Sequence, residues 1–95
     1  MALEKFGFIV CGEDFEQVQP SQSFYMKVVG VKQLEDAITV AKTMVDEGIQ
    51  LIELCGGFSP VIVGKLIEAI DGAVPVGVVA YGPESIDGMY KLFAD

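Results

Sequence analysis

The chain has 95 residues, 52% of them apolar, a mean hydropathy of +0.49 and a net charge of −8. Its six basic residues are all lysines, and it contains no arginine, histidine, tryptophan or asparagine. Those absences exclude a basic nucleic-acid footprint, bidentate arginine clamps, histidine acid–base chemistry and histidine metal ligands.

The first element is the run KFGFIVCG, Lys5–Gly12, which reads as a strand ending in glycine. The polar, acidic segment Glu13–Gln22 reads as a loop, with room for one helical turn. Ser23–Val31, SFYMKVVGV, is β-branched and aromatic and reads as the second strand.

Gln33–Glu47 carries the clearest helical pattern, with Leu34, Ala37, Ile38, Ala41, Met44 and Val45 on one stripe. Glu35 and Asp36 fall in its first turn, where the helix dipole favours acids, and Gly48 stands where a left-handed cap would end it. Ile49–Cys55 is the third strand. Ser59-Pro60 then marks a helix start, with Ser59 as N-cap and Pro60 at the first helical position. That second helix runs to about Asp71. Val74–Tyr81 is the fourth strand, and Pro83–Asp95 is a last helix with Ile86, Met89, Tyr90 and Phe93 on one stripe.

The predicted architecture is one α/β domain over residues 1–95. It has a four-stranded, mainly parallel sheet and three helices in the order β-β-α-β-α-β-α, half-TIM-barrel-like or flavodoxin-like. The first strand lies beside the second or the third; the sequence leaves both open. No apolar run reaches the roughly 18–20 residues that span a bilayer, and MALEKFGF lacks a signal-peptide layout. The expectation is a cytoplasmic protein with no membrane and no nucleic-acid partner. So small a domain has too little interior for this apolar content, so a homo-oligomer is expected, most simply a dimer.

The candidate site lies in IQLIELCGGFSP, Ile49–Pro60. Alternation along the strand puts Ile49, Leu51, Glu53 and Cys55 on one face and Ile52 and Leu54 on the other, under the helices. A carboxylate inside an apolar strand needs a partner, a proton or water, and Lys27 is the obvious partner, with Tyr25 and Tyr81 also within reach. Two readings stand for Glu53: a structural one, with its face open to solvent or paired with Lys27 at a subunit interface, or the base of a ligand site. Cys11 and Cys55 read first as small buried residues. They meet at one sheet edge if their strands are neighbours, although a disulfide there does not suit a reducing cytoplasm.

Gly56-Gly57 before a helix start is a geometry that can receive an anion, yet the same glycines serve any tight strand-to-helix turn. No Walker loop is present, and no cofactor is implied. With two cysteines and no Cys-x-x-Cys pair no structural zinc site is expected, and the acidic Glu13, Asp14 and Glu16 read as a solvated loop rather than a cation site. Ligands of open parallel sheets bind at the carboxyl ends of the strands. The predicted site therefore has Glu53 and Cys55 as catalytic candidates, with Gly56, Gly57, Phe58, Ser59, Lys27, Tyr81 and Cys11 around a small anionic or carbonyl metabolite. The alternative is a non-catalytic assembly module with no small-molecule site.

Two resemblances reach these residues. VVGV, LEDAITVAKTMVDEGIQLIELCGGF and VPVGVV together resemble a family of small bacterial α/β domains of unknown function, IELCGGF being the most specific part. Members often carry a histidine just after CGGF, where this chain has Ser59-Pro60. Separately, the stretch from Val28 to Val79 is similar to the early βα units of Schiff-base aldolases that cleave keto-deoxy sugar-acid phosphates. That likeness implies a barrel-like arrangement with Glu53 at the position of a glutamate base, but Lys27 does not match the Schiff-base lysine.

Overall fold

The computed structural model describes residues 2–94. Five strands form one sheet: β1 (Lys5–Cys11), β2 (Phe15–Pro20), β3 (Tyr25–Val31), β4 (Leu51–Leu54) and β5 (Val76–Val78). Three helices accompany them: α1 (Asp36–Asp46), α2 (Pro60–Ala69) and α3 (Ile86–Phe93), the last preceded by a 3₁₀ turn at Pro83–Ser85. The α/β class, the largely parallel sheet and the three helices agree with the sequence reading. The strand count and the order do not: there are five strands, and the chain runs β-β-β-α-β-α-β-α.

The extra strand is the segment read as a loop. Phe15–Pro20 pairs antiparallel with β3, and every one of its residues is exposed. An edge strand with no buried face has no reason to show apolar alternation, which is why FEQVQP hid its conformation. Its Glu16 and terminal Pro20 suit a free edge, since both discourage further strand pairing.

The spatial order is β2-β3-β1-β4-β5. The first strand therefore lies beside both of the strands that the sequence left open, parallel to each. This insertion removes the half-barrel reading, because a barrel lays its βα units side by side in chain order. The flavodoxin-like reading agrees in the order of the four parallel strands, β3-β1-β4-β5, but that fold covers both faces of its sheet, and here the core lies on one face only. Ile9, Val29, Val31, Ile52 and Leu54 of the sheet pack there against Ala37, Ala41 and Met44 of α1 and Ile62 and Leu66 of α2.

The first two helices form where their patterns placed them, with later starts or earlier ends. Gly48 closes α1 at φ +86°, with its N–H on the Val45 carbonyl and the Ile49 N–H on the Met44 carbonyl. A side chain at that φ would be strained. Ser59 caps α2, its Oγ accepting from the Ile62 N–H at 3.4 Å with Pro60 at the first helical position. The last predicted helix is shorter: Pro83–Ser85 is 3₁₀, the α-helix starts at Ile86, and Asp95 lies outside the described residues.

Alternation holds within β4: Ile52 and Leu54 are fully buried beneath the helices, while Leu51 and Glu53 face the other way and stay half-buried. Ile49 is a correction. It precedes the strand, so alternation does not govern it, and it is buried in the helix-side core. Gln50 ties the entry of β4 to β1, its Oε1 accepting from the Glu4 and Lys5 N–H groups at 2.7 and 2.9 Å.

Candidate functional site

The parallel pairing of β1 and β4 brings their carboxyl ends level. Cys11 is the last residue of β1, and Cys55 follows the last residue of β4. The Cys55 N–H donates to the Ile9 carbonyl at 3.1 Å, which extends the ladder by one bond. The Cys11 N–H reaches the Cys55 Sγ at 3.3 Å, and the two sulfurs lie 3.3 Å apart within hydrogen-bond range. Both thiols are free and half-buried.

The two thiols are not equivalent. Burial pushes the Cys55 thiol up. The N–H groups of Cys11 and Gly57 and the Cys11 thiol all stabilise its thiolate, and together they outweigh burial, so its pKa falls below the ordinary cysteine value. The Cys11 thiol moves the other way, first because it is hydrogen-bonded to Cys55, then through burial and the neighbouring charge. The opposed shifts favour Cys11 as the donor and Cys55 as the acceptor of the contact between the two sulfurs.

Gly57 makes this pairing possible. A Cβ at that position would overlap the Cys11 Sγ. The glycine is therefore required by the close approach of the turn to a thiol, not by turn geometry alone. Phe58, by contrast, is buried in the core, where it anchors the turn from below. The Phe58 N–H closes on the Cys55 carbonyl at 3.3 Å, and the Ser59 hydroxyl is occupied with its cap. The Phe58 and Ile62 N–H groups, two donors that an anion would use, are thus already engaged in the turn and its cap.

Gly56 connects the thiols to an open groove of about 540 Å³ between the end of β5 and α3, lined by Val79, Ala80, Tyr81, Ile86, Met89 and Tyr90. Tyr81 is exposed and its ring borders Gly56. In the sequence the α3 residues of this wall form only a helical stripe, and only the tertiary arrangement brings them to the strand ends.

Lys27 is the main correction. In the sheet register Lys27, Gly7 and Ile52 form one row, while Val28, Phe8 and Glu53 form the next, so Lys27 and Glu53 point to opposite faces. Lys27 is buried beneath α1, and its ammonium donates to both carboxylate oxygens of Glu47 at 2.8 and 3.0 Å, with Glu16 at 3.6 Å. Burial lowers its pKa, but the hydrogen bonds and charge of Glu47, with Glu16, reverse this and the net shift is upward. Its partner at the end of α1 carries no signal in the strand patterns, since the pairing joins residues twenty apart across a βα turn. Tyr25 also lies away from Glu53, with its ring 5.1 Å from the Lys5 ammonium and packed against the helix-side core.

Glu53 borders a separate shallow depression with Gly77, Val78 and Val79 on the uncovered side, and it has no ion-pair partner among the described residues. The acidic cluster is divided among structural tasks: Asp14 accepts from the Lys32 N–H at 2.9 Å and Glu16 turns to Lys27. Among the described residues no three of Asp, Glu, Cys and His converge as a metal site would require, and no helix is long and apolar enough to cross a membrane.

No curated protein and no solved structure matches the chain. The likeness to Schiff-base aldolases accordingly finds no support, and the inserted first strand and antiparallel edge strand separate this sheet from a barrel segment. The other resemblance holds: a family described as "Family of unknown function (DUF6506)" matches residues 4–94, and the chain belongs to that family.

Proposed function

We propose that the domain binds a small carbonyl-bearing metabolite at the carboxyl ends of β1 and β4, with Cys55 as the reactive thiolate. One observation carries this reading: the Cys55 sulfur is half-buried at a strand end, accepts the Cys11 N–H at 3.3 Å and lies 3.3 Å from the Cys11 sulfur. A thiol whose thiolate is stabilised in this way is a better nucleophile than an ordinary cysteine. Its lone pair forms a C–S bond to the carbonyl carbon while the π pair moves to oxygen. The Cys11 thiol is the nearest proton source for the resulting oxyanion, and solvent reprotonates Cys11. The product is a reversible thiohemiacetal or thiohemiketal.

A carbonyl suits the site better than a free anion, because turn donors are already used and the groove beside Gly56 is mainly apolar. Tyr81 and Gly56 border the pocket for the rest of the molecule, and Glu53 is the carboxylate nearest in sequence that could accept a proton from it. The test is alkylation of the whole protein with iodoacetamide across pH, mapped by peptide mass. Cys55 should react first and with a lower midpoint than Cys11, Cys11→Ala should raise the Cys55 midpoint, and small aldehydes or keto acids should protect Cys55. Equal reactivity of the two thiols, or no protection by any carbonyl probe, overturns the reading.

A further inference from the structure

The sheet has two apolar faces and only one cover. On the side away from α1 and α2, alternation places Phe6, Phe8 and Val10 of β1, Met26 and Val28 of β3 and Leu51 of β4, all half-buried, with the exposed Phe15 of β2 beside them. The helix that could cover them does not. α3 has no buried residue, and its stripe residues Ile86, Tyr90 and Phe93 are 64%, 72% and 75% exposed. One chain thus carries both an uncovered apolar sheet face and an amphipathic helix that walls the open groove beside Gly56 yet leaves most of its stripe in solvent.

We propose that a second copy of this chain occupies that face, each copy laying its α3 across the open sheet of the other in a closed two-fold dimer. The area fits. At roughly 200 Å² per large side chain, the three stripe residues alone leave on the order of 400 Å² of apolar surface in water. Adding the seven sheet residues brings each copy to the roughly 800 Å² that a standard stable interface takes from each partner. The dimensions also fit. An eight-residue helix is about 12 Å long and about 10 Å across, which matches two to three strands at about 4.8 Å spacing.

Charge selects the occupant. The chain carries −8, so two copies repel wherever their acids meet. Most of those acids lie elsewhere: Glu35, Asp36, Asp46 and Glu47 at α1, Glu68 and Asp71 at α2, and Glu13 and Asp14 in the β1–β2 connection, while Glu84 stands in the 3₁₀ turn ahead of α3. On the open face the one charged side chain is Glu53, and on α3 Asp87 is already paired with Lys91 at 3.1 Å. The face with the least charge is where like-charged copies can approach. A basic protein would seek the acidic helix side, and an anionic lipid surface would repel the whole molecule. An isologous contact satisfies both surfaces at once, because each copy supplies one helix and one sheet face.

The test is light-scattering mass of the full chain at micromolar concentration, with Tyr90→Glu/Phe93→Glu, Phe8→Glu and the control Val61→Glu, which lies on an exposed part of α2. The wild type and Val61→Glu should run at twice the 10.2 kDa chain mass. Tyr90→Glu/Phe93→Glu should be monomeric, its association weakened at least about a hundredfold, with an unchanged circular dichroism spectrum because both side chains are exposed in the single chain. Phe8→Glu should give the same loss from the sheet side. A monomeric wild type, with α3 folded back on its own sheet or left free, overturns the proposal, as does a dimer that survives the α3 substitutions. Thiol reactivity is read separately, so failure here leaves the Cys55 result standing.

Discussion

The two faces of this sheet carry similar side chains and have opposite fates. On the helix side, Ile9, Ile52 and Leu54 are sealed by Ala37, Ala41, Met44 and Leu66, all of them fully buried. On the other side Phe8, Val28 and Leu51 stop half-buried, with only their own neighbours for company. Apolar character therefore says that a face wants a cover; it does not say whether the cover comes from the same chain. The same contrast separates Lys27 from Glu53. Lys27 lies on the sealed side and is held by Glu47 and Glu16, while Glu53 lies on the open side without an ion partner.

The sharpest test of that contrast is a matched pair of truncations. Leu54→Ala and Leu66→Ala should each cost about 3 kcal/mol in urea unfolding, since each leaves a cavity in a sealed core. Val28→Ala on the open side should cost about 1 kcal/mol or less in a monomeric background such as Tyr90→Glu/Phe93→Glu. Equal costs on the two faces would mean that the open face is sealed after all.

Next comes the ion pair. Glu47→Gln leaves the buried Lys27 ammonium with only the more distant Glu16, and should cost about 2 kcal/mol. The value sits below that of a fully buried pair because Glu47 itself is 40% exposed and screened by water. Lys27→Met, which removes the charge and keeps the stem, should stay within about 1 kcal/mol of wild type. Glu53→Gln should change stability by less than about 0.5 kcal/mol in the monomeric background. The pair also sets a pH window. The folded pKa of Lys27 is raised above its ordinary 10.5, so its contribution is fully present below about pH 10.5 and is lost as pH rises through the folded value. Thermal midpoints of wild type and Lys27→Met should therefore converge in strong alkali, and parallel curves would count against the pair.

The turn glycines give the comparison that is most telling for chemistry. Gly57→Ala should cost about 1–3 kcal/mol from crowding against Cys11, and Gly56→Ala, whose Cβ would stand 3.2 Å from the Val79 carbonyl, about 1 kcal/mol or less. Only Gly57→Ala should separate the thiols and slow Cys55 alkylation at neutral pH toward that of an ordinary cysteine. If both variants alkylate at the wild-type rate, the thiol pair is not what activates Cys55.

Much of this protein was legible in its residues. The stripe from Leu34 to Val45, Gly48 as cap, Ser59-Pro60 as helix start and the Ile52/Leu54 face all follow from local rules of period, capping and alternation, which depend on neighbours a few residues away. So did the possibility of a Cys11–Cys55 meeting, conditional on which strands adjoin. The edge strand Phe15–Pro20 was not legible, because exposure on both faces removes the pattern that reveals a strand. Lys27 was assigned to Glu53 because both sit mid-strand. Its true partner became visible only when the register placed Lys27 in the row of Ile52, beneath α1.

By itself the sequence determined which segments would be helical, where two of the helices would begin or end, and which chemistries the absent residue types forbid. Tertiary structure alone decided that the first strand would insert between β3 and β4, and from that one insertion came the 3.3 Å thiol pair, the need for Gly57 and the parting of Lys27 from Glu53. The reason is physical. Period and capping act over a few residues along the chain, whereas strand order is settled by which apolar faces can share one core, a competition among segments far apart in sequence.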